Sequence, residues 1–107
     1  MRITIVGTGY VGLVAGACFA ENGNEVVGLD IDAAKIARLS KGESAIFEPE
    51  LNDLCGHNLR AGRLTFTTSY DVGVRHAQII FLCLPTPSNE DGSADIRHVV
   101  SATREIA

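Results

Sequence analysis

The chain has 107 residues, of which 46% are hydrophobic and 21% are charged, and its formal net charge is -4 at pH 7. This length suits one domain, and no apolar run approaches the ~20 residues that cross a bilayer, so we expect no membrane span. A negative charge without a block of Lys and Arg argues against binding to nucleic acid, whose phosphates attract clustered cations. The first strand begins almost directly after Met1, which leaves no room for a secretion signal, and we expect a cytoplasmic protein.

Four short strands are predicted, and three of them are apolar runs of the kind that a parallel sheet buries on both faces. They are Arg2 to Val6, Glu25 to Leu29, Leu64 to Thr67 and Gln78 to Leu82. The run from Leu64 to Thr67 is more polar and suits the edge of a sheet. Helical patterns separate the strands, so the predicted fold class is α/β with a parallel sheet.

The first two helices have recognisable ends. A helix from Val11 to Asn22 is apolar nearly all round and rich in Gly and Ala, as expected of a helix pressed against a sheet, and Gly23 suits its C-terminal cap. Asp32 can cap the second helix, which turns Ile36 and Leu39 toward the core.

Later elements are marked by proline, serine and aspartate. Pro49 suits the first turn of a third helix, and Ser69 can cap a short fourth one. After the fourth strand, an irregular stretch from Pro85 to Ala94 precedes a last helix that Asp95 caps. The chain stops at Ala107 inside this helix without a C-terminal cap, so we expect a fragment of a longer protein.

Three glycines, Gly7, Gly9 and Gly12, follow the first strand at G-x-G-x-x-G spacing. In this pattern the first permits a tight turn, the second lets backbone approach a pyrophosphate, and the third lets the helix pack close to the strand. Alone the motif is weak, because a tight turn without a ligand has the same pattern. The second strand is followed by Asp30, 18 positions after Gly12, and this complete order of strand, turn, helix, strand and acid favours a dinucleotide site.

Right-handed crossovers between these strands give the order 3-2-1-4, a Rossmann-like doubly wound sheet. The loops after strands 1 and 4, from Gly7 to Gly12 and from Leu84 to Pro87, then diverge and leave a crevice at the carboxyl ends of the strands. We expect a pyrophosphate to meet the amides and the positive dipole end of the helix that begins near Val11, with no cationic side chain.

The acid after the second strand selects the cofactor. Asp30 can accept hydrogen bonds from both ribose hydroxyls of an adenosine, and Asp32 adds a second negative charge nearby. A 2'-phosphate would be repelled, so we predict NAD rather than NADP. Lys35 either touches the cofactor or is an ordinary surface lysine, and the pattern leaves both interpretations open.

The cysteines predict no chemistry of their own. Cys18, Cys55 and Cys83 are odd in number and lack C-x-x-C spacing, so neither a disulfide framework nor a zinc site is supported. We expect them to be small and buried, with burial raising the thiol pKa of Cys18 and of Cys83. The three histidines share no motif, so we expect neither a metal site nor a catalytic histidine.

Five segments of the chain together resemble the N-terminal, NAD-binding part of the UDP-glucose/GDP-mannose dehydrogenase family. They are Gly7 to Leu13, Leu29 to Asp32 with Lys35, Ile46 to Pro49, Ala61 to Thr68, and Pro85 to Pro87 followed by Asp91 to Asp95. The resemblance covers the whole chain, and its third and last segments are more specific than the glycines. Within the family, the segments from Gly62 to Thr68 and from Asp91 to Asp95 look closer to the UDP-glucose enzymes than to the GDP-mannose enzymes.

This resemblance implies an oxidoreductase that oxidises the C6 alcohol of UDP-glucose twice with two NAD, through a cysteine-linked intermediate, to UDP-glucuronate. The cofactor-binding residues that it implies are Gly7, Gly9, Tyr10, Val11, Gly12, Asp30, Lys35, Pro85 and Thr86. It implies that Asp30 holds the adenosine ribose with Lys35 beside it, and that Thr86 contacts the cofactor toward its nicotinamide end. Pro85 stands where the family often has glycine, and it removes an amide donor from that loop.

The resemblance also implies what these residues lack. In the family the nucleophilic cysteine and its helpers lie beyond the position of Ala107, so we expect no catalytic residue here and no activity from this chain alone. Residues 1–107 would then be the N-terminal portion of an NAD(P)-binding Rossmann domain without the substrate domain. The full-length protein would take UDP-glucose as substrate and form a homo-oligomer.

Two other functions stay open at this point. The parent protein could act on GDP-mannose or another nucleotide sugar, or the chain could be a non-enzymatic NAD-sensing Rossmann module, because one fold serves many functions. The segments Glu48-Pro49 and Pro85-Thr86-Pro87 favour a dehydrogenase. A downstream substrate domain with a cysteine nucleophile would decide between the enzyme and the sensor.

Overall fold

The computed structural model describes residues 1–43 and 49–84, together with Arg104 and Ile106. The elements in these ranges are β1 (Arg2–Val6), α1 (Tyr10–Glu21), β2 (Glu25–Leu29), α2 (Ala33–Ser40), α3 (Pro49–Arg60), β3 (Leu64–Thr67), α4 (Tyr70–His76) and β4 (Ile79–Leu82). All four predicted strands are present, the last beginning one residue later than predicted. The predicted loop from Pro85 to Ala94, the cap at Asp95 and the helix after it lie outside the described residues.

The strands form one parallel sheet in the order β3-β2-β1-β4, which confirms the topology expected from right-handed crossovers. Ile5 of the central strand β1 lies opposite Gly28 of β2 and Phe81 of β4. The more polar β3 stands at one edge, as predicted. Because the strands are parallel, the loops after β1, β2 and β4 all leave from the same edge of the sheet.

Local signals in the sequence set the helix ends. Gly23 follows α1 with φ of +94°, a left-handed conformation that favours glycine. The Asp32 side chain accepts a hydrogen bond from the Lys35 amide at 3.1 Å and so caps α2. Ser69 caps α4 in the same way, because its hydroxyl accepts from the Val72 amide at 3.2 Å. These caps confirm the predicted helix starts.

The core lies on both faces of the sheet, because successive strand residues point to opposite sides. Helices α1, α2 and α3 pack against β1, β2 and β3 to form the larger cluster, whose buried members are Ile3, Ile5, Leu13, Ala17, Ala20, Val26, Ile36, Leu39, Leu51, Cys55 and Leu64. On the other face, α4 approaches so closely that the Thr4 hydroxyl donates to the Gly73 carbonyl at 2.7 Å. Val6 and Leu29 are buried on that side.

Two predictions about burial are wrong. The sequence predicts β4 to be buried on both faces, but Ile79, Phe81 and Leu82 are 39%, 37% and 40% exposed. Within the described residues β4 pairs with β1 alone, so it has a neighbouring strand on one side only. Cys18 is predicted to be buried but is exposed. Its position lies outside the buried stripe of α1, which consists of Gly12, Leu13, Gly16, Ala17 and Ala20.

The other two cysteines behave as predicted. Cys55 is buried and Cys83 is half-buried. Burial raises the pKa of both thiols, and the neighbouring Cys18 raises that of Cys55 further. A raised pKa leaves less thiolate at neutral pH, so both groups are poor nucleophiles.

Two glycines of α1 face the sheet but tolerate a side chain very differently. A Cβ at Gly12 would overlap the backbone carbonyl of Gly7, whereas a Cβ at Gly16 would lie 3.6 Å from Val26, an ordinary contact. We predict that Gly12→Ala lowers the free energy of unfolding by roughly 1 to 3 kcal/mol, because backbone must move. Gly16→Ala should be neutral or stabilising by up to ~1 kcal/mol, because Ala favours helix.

Urea denaturation of the two variants and the parent measures this difference. Equal midpoints for Gly12→Ala and Gly16→Ala would contradict the close approach of α1 to the turn before it.

Candidate functional site

The glycine turn between β1 and α1 lies against the loop that follows β4. Gly7 has φ of +102°, and its amide donates to the Leu29 carbonyl at 2.7 Å. A Cβ at this position would collide with the carbonyl of Cys83. The Cys83 amide in turn donates to the Val6 carbonyl at 2.7 Å. Glycine at position 7 therefore lets the turn after β1 lie directly against the backbone that follows β4.

Gly9 has a different role from its neighbours. Its φ is -74° and a Cβ there would find no atom within 4 Å, so neither conformation nor packing requires glycine. The space that a side chain would fill lies at the start of α1. Open space at this point suits a group that must approach the backbone closely, as a pyrophosphate does.

Within the described residues, α1 has neither a side-chain cap nor an acidic first turn to offset the positive dipole end at its start. Gly9 is the N-cap and makes no side-chain hydrogen bond to the helix, and the first turn carries no acidic residue. The Leu13 amide donates to the Gly9 carbonyl at 2.9 Å and makes the first hydrogen bond of the helix. The amides of Tyr10, Val11 and Gly12 therefore have no acceptor within the helix. Tyr10 and Val11 are 55% and 68% exposed. The positive dipole end of the helix thus lies at two exposed residues, which suits an anion.

The Asp30 carboxylate at the end of β2 joins three segments of the chain. Its Oδ2 accepts from the Thr8 amide at 3.0 Å, from the Thr8 hydroxyl at 2.8 Å and from the Lys35 ammonium at 3.2 Å. Its Oδ1 accepts from the Asp32 amide at 3.1 Å. A carboxylate has about four acceptor positions, two on each oxygen, so Oδ2 is saturated and Oδ1 retains one position.

These contacts keep Asp30 ionised. Burial of the carboxyl opposes ionisation, but the hydrogen bonds from Thr8, Asp32 and Lys35 outweigh it and hold the pKa of Asp30 below its ordinary value of 3.8. The side chain is 14% exposed, so it is accessible to a ligand while it stays fixed by its donors. An ionised, fixed acceptor is what recognition of a ribose hydroxyl needs.

The structure places most of the predicted cofactor residues together. Those within the described ranges that lie at the carboxyl edge of β1 and β2 are Gly7, Gly9, Tyr10, Val11, Gly12, Asp30 and Lys35. Lys35, whose role the pattern left open, lies in the first turn of α2 and pairs with Asp30 before the helix. Asp32 instead uses its carboxylate to cap α2. Pro85 and Thr86 lie outside the described residues.

Thr8 is the site residue that sequence reasoning missed. It is 1% exposed, and both of its donors face Asp30. The available signal was its chemistry: Thr8 is the polar side chain inside a turn made otherwise of Gly and apolar residues, and a buried hydroxyl needs a partner. The acid at the end of the neighbouring strand is such a partner.

Metal sites and membrane spans are absent from the described residues. Residues 1–43 and 49–84 contain no group of three His, Cys, Asp or Glu side chains that could hold a metal ion. Among these residues there is also no helix long and apolar enough to cross a membrane. His76 lies at the opposite edge of the sheet, where its Nε2 is 3.0 Å from the Glu25 carbonyl.

Comparison with known proteins decides the family. The profile of the NAD binding domain of the UDP-glucose/GDP-mannose dehydrogenase family matches residues 1–107. The chain belongs to this family. It is 48% identical to the UDP-glucose 6-dehydrogenase YwqF of Bacillus subtilis over 100% of this chain and 24% of that protein. It is 45% identical to the UDP-glucose 6-dehydrogenase of Pseudomonas aeruginosa over 99% of this chain and 23% of that protein.

A solved member of the UDP-glucose/GDP-mannose dehydrogenase family has the same fold. The crystal structure of a ternary complex of GDP-mannose dehydrogenase from Pseudomonas aeruginosa superposes with a TM-score of 0.94 at 39% identity, over 99% of this chain and 24% of that one. This chain therefore spans about a quarter of the length of these relatives. The family's NAD-binding domain establishes NAD as the cofactor, and the open space at Gly9 and the ionised Asp30 fit it.

The lowered pKa of Asp30 makes a prediction about stability and pH. A carboxyl whose pKa is lower in the folded state stabilises the fold above its ordinary value of 3.8, and this contribution is lost as the pH falls through the lower, folded value. At pH 7 we expect Asp30→Asn to reduce the free energy of unfolding by roughly 1.5 to 3 kcal/mol, the usual worth of hydrogen bonds to a charged group. Below the ordinary value the difference between parent and variant should shrink.

Urea unfolding of both proteins across pH tests this expectation. Asp71→Asn is the matched control, because Asp71 forms an exposed pair with Arg75 at 2.8 Å and exposed pairs contribute little. The stabilising role of the ionised carboxylate would be contradicted if Asp30→Asn lost no more unfolding free energy than Asp71→Asn. It would also be contradicted if the loss for Asp30→Asn grew toward acid pH.

Proposed function

We propose that residues 1–107 are the N-terminal portion of the NAD-binding domain of a UDP-glucose 6-dehydrogenase, which oxidises UDP-glucose to UDP-glucuronate with two NAD. The observation that carries the proposal is the ionised Asp30 beside an open, uncompensated helix start. Two relatives named for UDP-glucose are 48% and 45% identical to the chain, against 39% for the GDP-mannose dehydrogenase structure. This difference favours UDP-glucose as the substrate.

The proposed role of the glycine turn is to hold the pyrophosphate on backbone alone. The amides of Tyr10, Val11 and Gly12 donate to phosphate oxygens, and Gly9 leaves the space through which the phosphates approach. NAD, when bound, supplies the two-electron acceptor for the sugar alcohol. Pro85 and Thr86 are proposed, from the family resemblance, to contact its nicotinamide end.

The proposed role of Asp30 is to bind the adenosine ribose. Its Oδ1 has one acceptor position left for a hydroxyl, whereas its Oδ2 already has three donors. A second hydroxyl would take the place of the Lys35 ammonium, because Lys35 is 32% exposed and flexible while Thr8 is buried. A 2'-phosphate would bring its negative charge to this carboxylate, so NADP is disfavoured.

Catalysis is assigned to residues outside this chain. Cys55 is buried, and burial raises the pKa of both its thiol and that of Cys83. Cys18 lies on the exposed side of α1, near its C-terminal end rather than at the glycine turn. None of the three is therefore proposed as the nucleophile. We further propose a cytoplasmic, homo-oligomeric parent protein, in keeping with its nucleotide cofactor and its free thiols.

Gly9→Ala separates cofactor binding from folding. The added methyl meets no protein atom and needs no change in φ, but it occupies the space assigned to the pyrophosphate. We predict an unchanged urea midpoint and a loss of NAD affinity of at least about tenfold, about 1.4 kcal/mol, by isothermal titration calorimetry. Gly16→Ala, which adds a methyl on the buried side of the same helix, is the control. If Gly9→Ala and Gly16→Ala bound NAD with equal affinity, the proposal that the pyrophosphate lies at this turn would be wrong.

The ribose assignment predicts a change in cofactor preference. Asp30→Ala should weaken NAD binding by roughly 10- to 100-fold, because hydrogen bonds to a charged group are lost. The same substitution frees the Lys35 ammonium, now 3.2 Å from Asp30, to pair with a 2'-phosphate. We therefore expect the NADP-to-NAD affinity ratio to rise by calorimetry. A ratio that stays at the parent value would place the ribose elsewhere.

The substrate is tested with the complete gene product that contains this chain. We expect NADH formation with UDP-glucose, two NADH for each sugar, and little with GDP-mannose. Faster turnover with GDP-mannose would retain the family and the cofactor site but overturn the proposed substrate.

A further inference from the structure

Thr8 lies between the first two glycines, and its side chain points into the protein. It is 1% exposed. Its methyl is packed so close to β2 that a Cβ on Gly28 would lie 3.3 Å from it, and the Phe66 ring would lie 2.6 Å from the same Cβ. The side chain therefore lies with its methyl toward β2 and its hydroxyl on Asp30.

Both donors of Thr8 converge on one oxygen. The amide and the hydroxyl reach Oδ2 of Asp30 at 3.0 and 2.8 Å, and an ionised carboxylate accepts hydrogen bonds only, so the hydroxyl proton must point at it. The third donor on this oxygen, Lys35, ends a long side chain that is 32% exposed. Thr8 is thus the fixed partner of the carboxylate and Lys35 is the adjustable one.

Resting on the proposed cofactor site, we propose that Thr8 is a positioning residue that sets the preference of this protein for NAD over NADP. It acts through Asp30: by holding Oδ2, it keeps the carboxylate oriented with Oδ1 available to a ribose hydroxyl. The charge that repels a 2'-phosphate stays at a fixed point for the same reason. Without the hydroxyl, Oδ2 keeps only the Thr8 amide and the adjustable Lys35 as donors, so the orientation of the carboxylate is less firmly fixed.

Two substitutions distinguish a Thr8 that only packs in the core from a Thr8 that orients Asp30. Thr8→Val keeps the shape and the methyl but removes the hydroxyl, whereas Thr8→Ser keeps the hydroxyl and removes the methyl. A positioning role predicts that Thr8→Val lowers NAD affinity at least about fivefold and lowers the preference for NAD over NADP, while Thr8→Ser retains both. A packing role predicts the opposite order, with Thr8→Ser the more damaged variant.

Calorimetric titration of NAD and NADP into the complete gene product that contains this chain, as parent and as both variants, is the test, and Asp30→Ala supplies the second background. If Thr8 acts through Asp30, adding Thr8→Val to Asp30→Ala changes neither affinity further. If Thr8→Val does not fold, Thr8→Ala, which is smaller and cannot clash, takes its place against Thr8→Ser.

The possible outcomes distinguish failure of the Thr8 role from failure of the proposed cofactor site. A complete gene product that binds no NAD at millimolar concentration contradicts the proposed cofactor site itself. A parent that binds NAD, with a hydroxyl-free variant of equal affinity and equal cofactor preference, overturns the role of Thr8 alone. An effect of Thr8→Val that persists undiminished in the Asp30→Ala background also overturns it.

Discussion

The carboxylate of Asp30 is the contact on which the rest of the site depends. It accepts hydrogen bonds from the glycine turn through Thr8, from the start of α2 through Lys35, and from the backbone of Asp32. Each donor favours the ionised form, and together they outweigh the opposing effect of burial on its pKa. One side chain therefore ties the glycine turn to the end of β2 and the start of α2.

The glycines make this arrangement possible by three different physical means. Gly7 adopts a left-handed conformation and lies against the carbonyl of Cys83, Gly12 lets α1 touch the turn, and Gly9 leaves open space at the helix start. The first two are requirements of the fold, whereas the third has no structural requirement. The fold thus requires two of the three glycines and leaves the third unconstrained, which explains why the spacing alone is weak support for a ligand.

Local features were predictable from the sequence and long-range side-chain contacts were not. The caps at Asp32 and Ser69 depend on neighbouring residues only, so their positions follow from residue type. Thr8 pairs with an acid 22 positions away, and the buried Asn58 contacts Glu21 across two helices at 2.9 Å; no local pattern encodes either contact. Burial of Cys18 was predicted wrongly because a helix that is apolar on all sides does not reveal which side faces the sheet.

In the proposed complex NAD lies on the start of α1 with its ribose at the end of β2. Titration of an isotope-labelled chain with NAD, followed by amide NMR shifts, tests this most directly because it locates the ligand residue by residue. We predict the largest shifts at residues 9–12 and 30–32, with little change in α4 on the other face of the sheet. Shifts centred on α4, or spread evenly with none at Gly9, would contradict it.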